Sequence, residues 1–246
     1  MVLVGILAGG TLKADDLAPV IGSLVNNRDK LDSVSFAEVV EASTGHRVIP
    51  VDQEDEFIRG QLLPAMVAVM DRVLAVMNEA SSPAQARGRI NEVSGDFEKA
   101  IRKQLDALDG FRCQFATKAD GGTQRSGYPD LLLIHDSGRR LYLDPKVFAS
   151  KSRHSSFRTF YYEPKRETNK ITSDAHHLVV GIEHEGKIDG LWRFVSWELV
   201  DFSGMKVRLK AEFQSSNREM YRSGSLIKGT PKTESETQRE GRPVEK

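Results

Sequence analysis

Two aspartates and a lysine stand close together in the middle of the chain. Asp130 lies in Tyr128-Pro129-Asp130-Leu131-Leu132-Leu133-Ile134, and Asp144 and Lys146 lie in Leu141-Tyr142-Leu143-Asp144-Pro145-Lys146. Both segments read as strands, and Ser137-Gly138 marks a tight turn between them. Strand side chains alternate faces, so Asp144 and Lys146 share one face while Leu143, Pro145 and Val147 turn toward a core. A hairpin through Asp136 to Arg139 brings Asp130 beside Asp144. Two carboxylates and the Pro145 carbonyl make a hard oxygen site of the kind magnesium takes, with several waters retained. An adjacent ammonium can orient or deprotonate one of those waters and balance charge in a transition state. The plain alternative is that the aspartates cap strands and Lys146 pairs with one of them.

Other groupings point to less. His176-His177 and Glu183-His184-Glu185 contain ligand-type residues. The first pair diverges if it is in a strand, and the second sits before Gly186, so both are expected to be surface histidines. Gly9-Gly10-Thr11-Leu12-Lys13 lacks phosphate-loop spacing. No Gly-x-Ser-x-Gly nucleophile motif occurs.

The charge is uneven. The chain has 35 basic and 35 acidic residues, yet residues 139–170 alone carry nine basic and three acidic ones. Lys151, Arg153, His154, Ser155, Ser156, Arg158, Lys165, Arg166 and Lys170 are interleaved there with Phe157, Phe160, Tyr161 and Tyr162. Such a field suits a polyanion: lysine and arginine neutralise phosphates, and serine and arginine also read base edges. Phe157 and Phe160 are expected to be core residues instead.

The elements that must position these groups follow from periodicity. Leu17, Val20, Ile21, Leu24 and Val25 recur at helical spacing, Phe36, Val39 and Val40 suggest a short helix, and Phe57 to Met77 a long one in which Pro64 marks a kink or the first turn. A helix over about 90–108 lines one face with Val93, Phe97, Ile101, Leu105 and Leu108 and stops at Gly110. Strands follow at 111–118, 130–134, 140–147, 178–183 and 191–199. Val207, Leu209, Ala211 and Phe213 alternate with charged residues, which predicts one more strand. Residues 215–222 suggest a short closing helix.

The Pro129-Asp130 and Asp144-Pro145-Lys146 pair resembles the active-site motif of the PD-(D/E)XK nucleases, above all the type II restriction endonucleases. The likeness covers about residues 90–185, including the order helix, three-strand meander, further elements. It implies an α/β fold: a restriction-endonuclease-like mixed β-sheet flanked by helices, with an N-terminal helical part. It implies a magnesium-dependent, sequence-specific endonuclease of double-stranded DNA that leaves 5′-phosphates. Asp130 and Asp144 would hold the metal with the Pro145 carbonyl, and Lys146 would position the attacking water. An acidic residue on the preceding helix is also implied, with Glu98 the best match and Glu92 the alternative. DNA contacts fall to Lys151, Arg153, His154, Ser155, Ser156, Arg158, Lys165 and Arg166. A symmetric site implies a homodimer, for which the apolar N-terminal helices offer a surface. A proline inside the motif departs from a regular central strand, which must end, bulge or become an edge there. Two alternatives stay open: a nuclease of the same superfamily acting in repair or recombination, and an inactive DNA-binding protein of this fold.

Composition sets the outer limits. With 246 residues and 39% hydrophobic content the chain can build a sizeable core, which excludes collagen and disulfide miniproteins. No apolar run of ~18 residues is seen, so no membrane span is expected. The single cysteine, Cys113, fits a cytoplasmic protein. The expected organisation is a helical region at 1–88, a nuclease core at 89–222 and a disordered polar tail at 223–246.

Overall fold

Apolar and polar positions alternate through the middle of the chain, and the computed structural model turns that pattern into one mixed sheet. It describes residues 14–124, 126–156, 160–165, 168–210, 212–222 and 227. The described chain forms two compact units, Met1–Arg208 and Leu209–Lys246.

In the first unit the order is α1 (Ala14–Asn26), β1 (Val34–Ser35), α2 (Phe36–Thr44), α3 (Leu63–Asn78), α4 (Ile90–Asp106), β2 (Phe111–Phe115), β3 (Leu131–His135), β4 (Arg140–Ala149), β5 (His176–Ile188), β6 (Leu191–Asp201) and β7 (Lys206–Val207). Strands β2 to β6 lie in that order in one sheet. Pairs β2/β3, β3/β4 and β5/β6 are antiparallel, and β4/β5 is parallel. This is the mixed, helix-flanked sheet expected of a restriction-endonuclease-like fold.

Strand alternation divides the sheet side chains between two cores. Leu131, Leu133, Leu141, Leu143, Leu178, Val180 and Ile182 pack with α3 and α4. Leu132, Tyr142 and Val179 pack on the opposite face with Phe36 and Val40 of α2. Strand β5 is buried on both faces from His176 to Ile182, so it reads as a continuous buried run.

The long apolar stretch begins with one π turn, Ile58–Leu62, before α3 takes over with Pro64 in its first turn, where no N–H is needed. Ile58–Asn78 is long and apolar enough to cross a membrane. Here Met66, Val69, Met70, Val73 and Met77 are instead packed in the core shared with α4 and the sheet. Asp55 accepts hydrogen bonds from the Phe57 and Ile58 backbone, and its other oxygen receives Arg139 Nη2 at 2.6 Å. That ion pair ties the β3–β4 turn to the start of this helix. The turn closes through Gly138 at φ 84°, a conformation that favours glycine.

Helix α4 buries Val93, Phe97, Ile101 and Leu105 in one stripe. Its first turns are fixed from outside by Arg87, which donates to both oxygens of the buried Asp96 at 2.7 and 2.8 Å. Arg87 holds the Asp96 carboxyl below the usual aspartate range. Asp96→Ala is therefore expected to destabilise the protein by about 2 kcal/mol, the scale of charge-assisted hydrogen bonds to a half-exposed arginine. A lower urea midpoint at unchanged slope checks this.

Three expectations need correction. Strand β7 ends at Val207, because its partner β1 is only two residues long, and Leu209 and Phe213 are exposed rather than half-buried. His176, His177 and His184 are buried, not surface residues, because β5 is covered on both faces. His176 Nδ1 lies 3.0 Å from the Ile49 carbonyl. Strand β2 is also shorter than expected and stops at Phe115. In the second unit, α5 (Asn217–Met220) forms with Ser216 accepting from the Glu219 N–H. The segment 223–246 lies outside the described residues except for Ile227.

Candidate active site

The hairpin register fixes the carboxylates. Leu131 pairs with Leu143, so the next position on each strand is Asp130 and Asp144. The β3 pairing ends there, and beyond Leu143 the described partner of β4 is β5. Pro145 therefore sits on a half-free strand, where a missing N–H is tolerated.

Lys146 lies over both acids. Its Nζ is 2.5 Å from Asp144 Oδ2 and 3.7 Å from Asp130 Oδ2. Asp144 is 1% exposed. The Lys146 contact lacks hydrogen-bond alignment, and Asp144 Oδ2 is buried without a hydrogen-bond donor. Burial, with Asp130 close by, pushes the Asp144 carboxyl up to about 7 against the pull of Lys146. Burial pulls Lys146 down, but Asp144, Asp130 and Glu98 outweigh it and the net shift is upward. The ammonium therefore stays protonated at neutral pH. It can donate a hydrogen bond and balance negative charge, but it is a poor base.

This donor set suits a hard divalent cation. Asp144 Oδ2 is buried with Lys146 as its charged neighbour but no aligned hydrogen-bond donor, and a second carboxylate lies beside it, so one ammonium faces two acids. Among the described residues, no three Asp, Glu, His or Cys side chains gather into a metal-holding group. Beyond Asp130 and Asp144, such an ion would rely on the Pro145 carbonyl and on water, as magnesium does.

Helix α4 separates its two acidic candidates. The Glu92 carboxylate accepts from the Arg89 N–H and caps the helix. Glu98, one and a half turns on, lies within electrostatic reach of Lys146 and of Lys170. Glu98 thus faces the site, without completing a third metal-holding side chain.

The basic segment is mixed. Lys151, His154, Ser155 and Ser156 are exposed just after β4. Arg153 is exposed but paired with Glu198 at 2.5 Å, and Lys165 with Glu163 at 2.8 Å. Arg158 and Arg166 lie outside the described residues, as does Phe157. Phe160 packs in the second core as expected, and Tyr162 joins it.

Two features at the site differ from or go beyond the sequence reading, which counted Lys170 with the exposed basic block and gave Tyr128 no role. Lys170 is 4% exposed and donates to the Gly127 and Pro129 carbonyls. The Tyr128 ring stacks on His177, with its hydroxyl 2.8 Å from His177 Nδ1. Nothing local in the sequence signals either, since both contacts span more than 40 residues.

The model of the family described as "Type II restriction enzyme MjaV family" matches residues 30–224. The chain is also 28% identical over 208 residues to the Type II restriction enzyme MjaV of Methanocaldococcus jannaschii, covering 80% of this chain and 89% of that protein.

Proposed function

The chain belongs to the Type II restriction enzyme MjaV family, and from that premise we propose that it is a magnesium-dependent endonuclease that hydrolyses phosphodiester bonds in double-stranded DNA at a defined sequence, leaving 5′-phosphates. Membership makes it a site-specific deoxyribonuclease of a restriction system that binds DNA. The observation that carries the finer reading is the buried Asp144 beside Asp130 with the Lys146 ammonium over both.

Asp130, Asp144 and the Pro145 carbonyl would hold the metal. When bound, magnesium polarises the phosphoryl group and makes water easier to deprotonate. Lys146, kept protonated, would position the attacking water, whose proton would leave to solvent or to a phosphate oxygen rather than to this ammonium. As negative charge spreads over the phosphoryl oxygens, the same ammonium offsets it at short range in a poorly solvated site. Glu98 holds the ammonium in place from α4. The intact acid pair and lysine favour catalysis over an inactive DNA-binding role.

The exposed run Lys151, Arg153, His154, Ser155 and Ser156 leaves β4 within ten residues of Lys146. This closeness supports a DNA contact near the scissile bond, which Lys165 joins and to which Arg158 and Arg166 are assigned from sequence alone. For Arg153 and Lys165, phosphate must compete with Glu198 and Glu163. A two-fold dimer for a symmetric site is part of the same reading, and exposed Leu17, Val20 and Val25 on α1 support it. So are a cytoplasmic location and the division into a helical region 1–88, a nuclease core 89–222 and a polar tail 223–246.

Single alanine substitutions at Lys151, Arg153, Arg158, Lys165 and Arg166 are expected to separate phosphate contacts from base contacts. Each lost phosphate contact lowers the slope of log affinity against log salt by about 0.9. A lost base contact costs about 1–3 kcal/mol at one position of the site. At least two of the five are expected to weaken binding, and wild-type affinities for all five from about 50 to 200 mM salt would place the DNA surface elsewhere. The function itself is tested by digesting plasmid DNA with magnesium and with chelator. Discrete, end-labelable fragments only with magnesium support the reading. Metal-independent cutting, or magnesium-dependent degradation without defined fragments, contradicts it.

A further inference from the structure

A lysine belongs at a protein surface unless something holds its charge, and Lys170 is almost fully buried. Its ammonium donates to the Gly127 carbonyl at 2.8 Å and to the Pro129 carbonyl at 3.2 Å. Those carbonyls flank Tyr128 in the loop that delivers Asp130. On its other side the loop is held by the stacked Tyr128 ring and by the Ala116 N–H, which donates to the Asp130 carbonyl at 3.0 Å. Burial pulls the Lys170 pKa down, while Asp130, Asp144 and Glu98 pull it back up, so the same ammonium lies in the field of all three acids.

With Asp144 ionised, as a bound cation would keep it, the charges around the site are three carboxylates, Asp130, Asp144 and Glu98, against two ammoniums, Lys146 and Lys170. A divalent cation turns this net single negative charge into a net single positive one, which matches one phosphodiester. Removing Lys170 takes the donor from the Gly127 and Pro129 carbonyls and loosens one side of the loop that holds Asp130 against Asp144. It also removes half of the fixed positive charge.

We propose that Lys170 is a positioning residue for cleavage: by clamping the Gly127 and Pro129 carbonyls it holds Asp130 against Asp144 in the arrangement that binds metal. The inference rests on the metal reading of Asp130 and Asp144 given above. Lys170 does not touch DNA or the reacting atoms in this account. Its effect passes through Asp130, as outer partners of metal ligands commonly act.

The test compares wild type with Lys170→Met, which removes charge and donors, and Lys170→Gln, which keeps a donor without charge. Mn²⁺ binding to the DNA-free protein is read from the EPR signal of the free ion, and cleavage is titrated with magnesium. For Lys170→Met the Mn²⁺ Kd and the half-saturating magnesium are both expected to rise by about 10-fold or more. Lys170→Gln should fall between it and wild type. KM for DNA and, at saturating metal, kcat should stay within about threefold, a split that general destabilisation would not produce. Metal affinity unchanged within about twofold in both variants would overturn the proposal, and so would loss of the native melting transition in both, which would make the lysine a folding residue. Asp130→Ala serves as the control. Wild-type Mn²⁺ binding in that variant would overturn the metal reading itself, whereas its loss alongside unchanged Lys170 variants would overturn the Lys170 proposal alone.

Discussion

Asp144→Ala is expected to reduce cleavage by on the order of 10³-fold or more, since it removes the more buried carboxylate of the proposed metal site, and a catalytic metal is worth several kcal/mol to such a transition state. Asp130→Ala and Lys146→Ala should fall in the same range. All three variants should stay folded. Asp144→Ala removes the ion pair with Lys146 but also a buried acid that no aligned donor satisfies and whose burial is costly, so the fold is expected to survive. DNA binding by Asp144→Ala should be equal to wild type or tighter, because a negative charge near phosphate has gone. Single-turnover rates with excess enzyme, measured beside binding in chelator, separate chemistry from affinity. Full magnesium-dependent activity in any of the three would remove that residue from the site.

The second large effect is on stability against pH. Burial raises the Asp144 carboxyl from the ordinary aspartate value to about 7 in the folded protein. Between about pH 4 and 7 the native state therefore holds a proton that the unfolded chain, with its aspartates near 3.9, has released. When the native state binds more protons, stability falls as pH rises. Metal-free wild type should thus lose stability from about pH 4 to 7 and be at its full deficit by about pH 8. Asp144→Asn has no proton to release. It should be more stable than wild type at about pH 8 by on the order of a few kcal/mol, the scale of a buried carboxyl forced to ionise in the folded state. In a chain of this size that is a melting temperature higher by roughly 5–10 °C. Near pH 4.5 the two should converge, and magnesium should raise wild type but not Asp144→Asn at about pH 8, because the ion competes with the proton for the same oxygens. Thermal melts at the two pH values, with and without magnesium, check this. Equal melting temperatures at about pH 8 without metal would show that Asp144 is not under the strain its burial implies.

The site's core was legible because its positioning is local. The turn at Ser137-Gly138 and the period of two in β3 and β4 fix which residues face each other, so Asp130, Asp144 and Lys146 meet as the spacing requires. The spacing of Val93, Phe97, Ile101 and Leu105 likewise fixed the face of α4. What could not be read is set by contacts between distant segments. Glu98 and Glu92 differ only once Arg89 engages Glu92 as a cap. His177 looks like a surface residue until β5 is known to be central and Tyr128 lies on its ring. Lys170 looks like one more charge in a basic block until the fold buries it against the Pro129 carbonyl. The alternation over 207–213 is a true strand pattern without a partner long enough to pair it, because β1 supplies only Val34 and Ser35. A strand needs a neighbour as well as a pattern.

Asp130 and Asp144 are the proposed ligands of the catalytic metal. Anomalous diffraction from crystals of the enzyme bound to its DNA site, soaked in Mn²⁺, tests this assignment most directly. The predicted result is a peak within coordination distance of a carboxylate oxygen from each aspartate and of the Pro145 carbonyl, with Lys146 Nζ beside the scissile phosphate. A peak at other residues, with Asp130 and Asp144 left uncoordinated, would contradict the account.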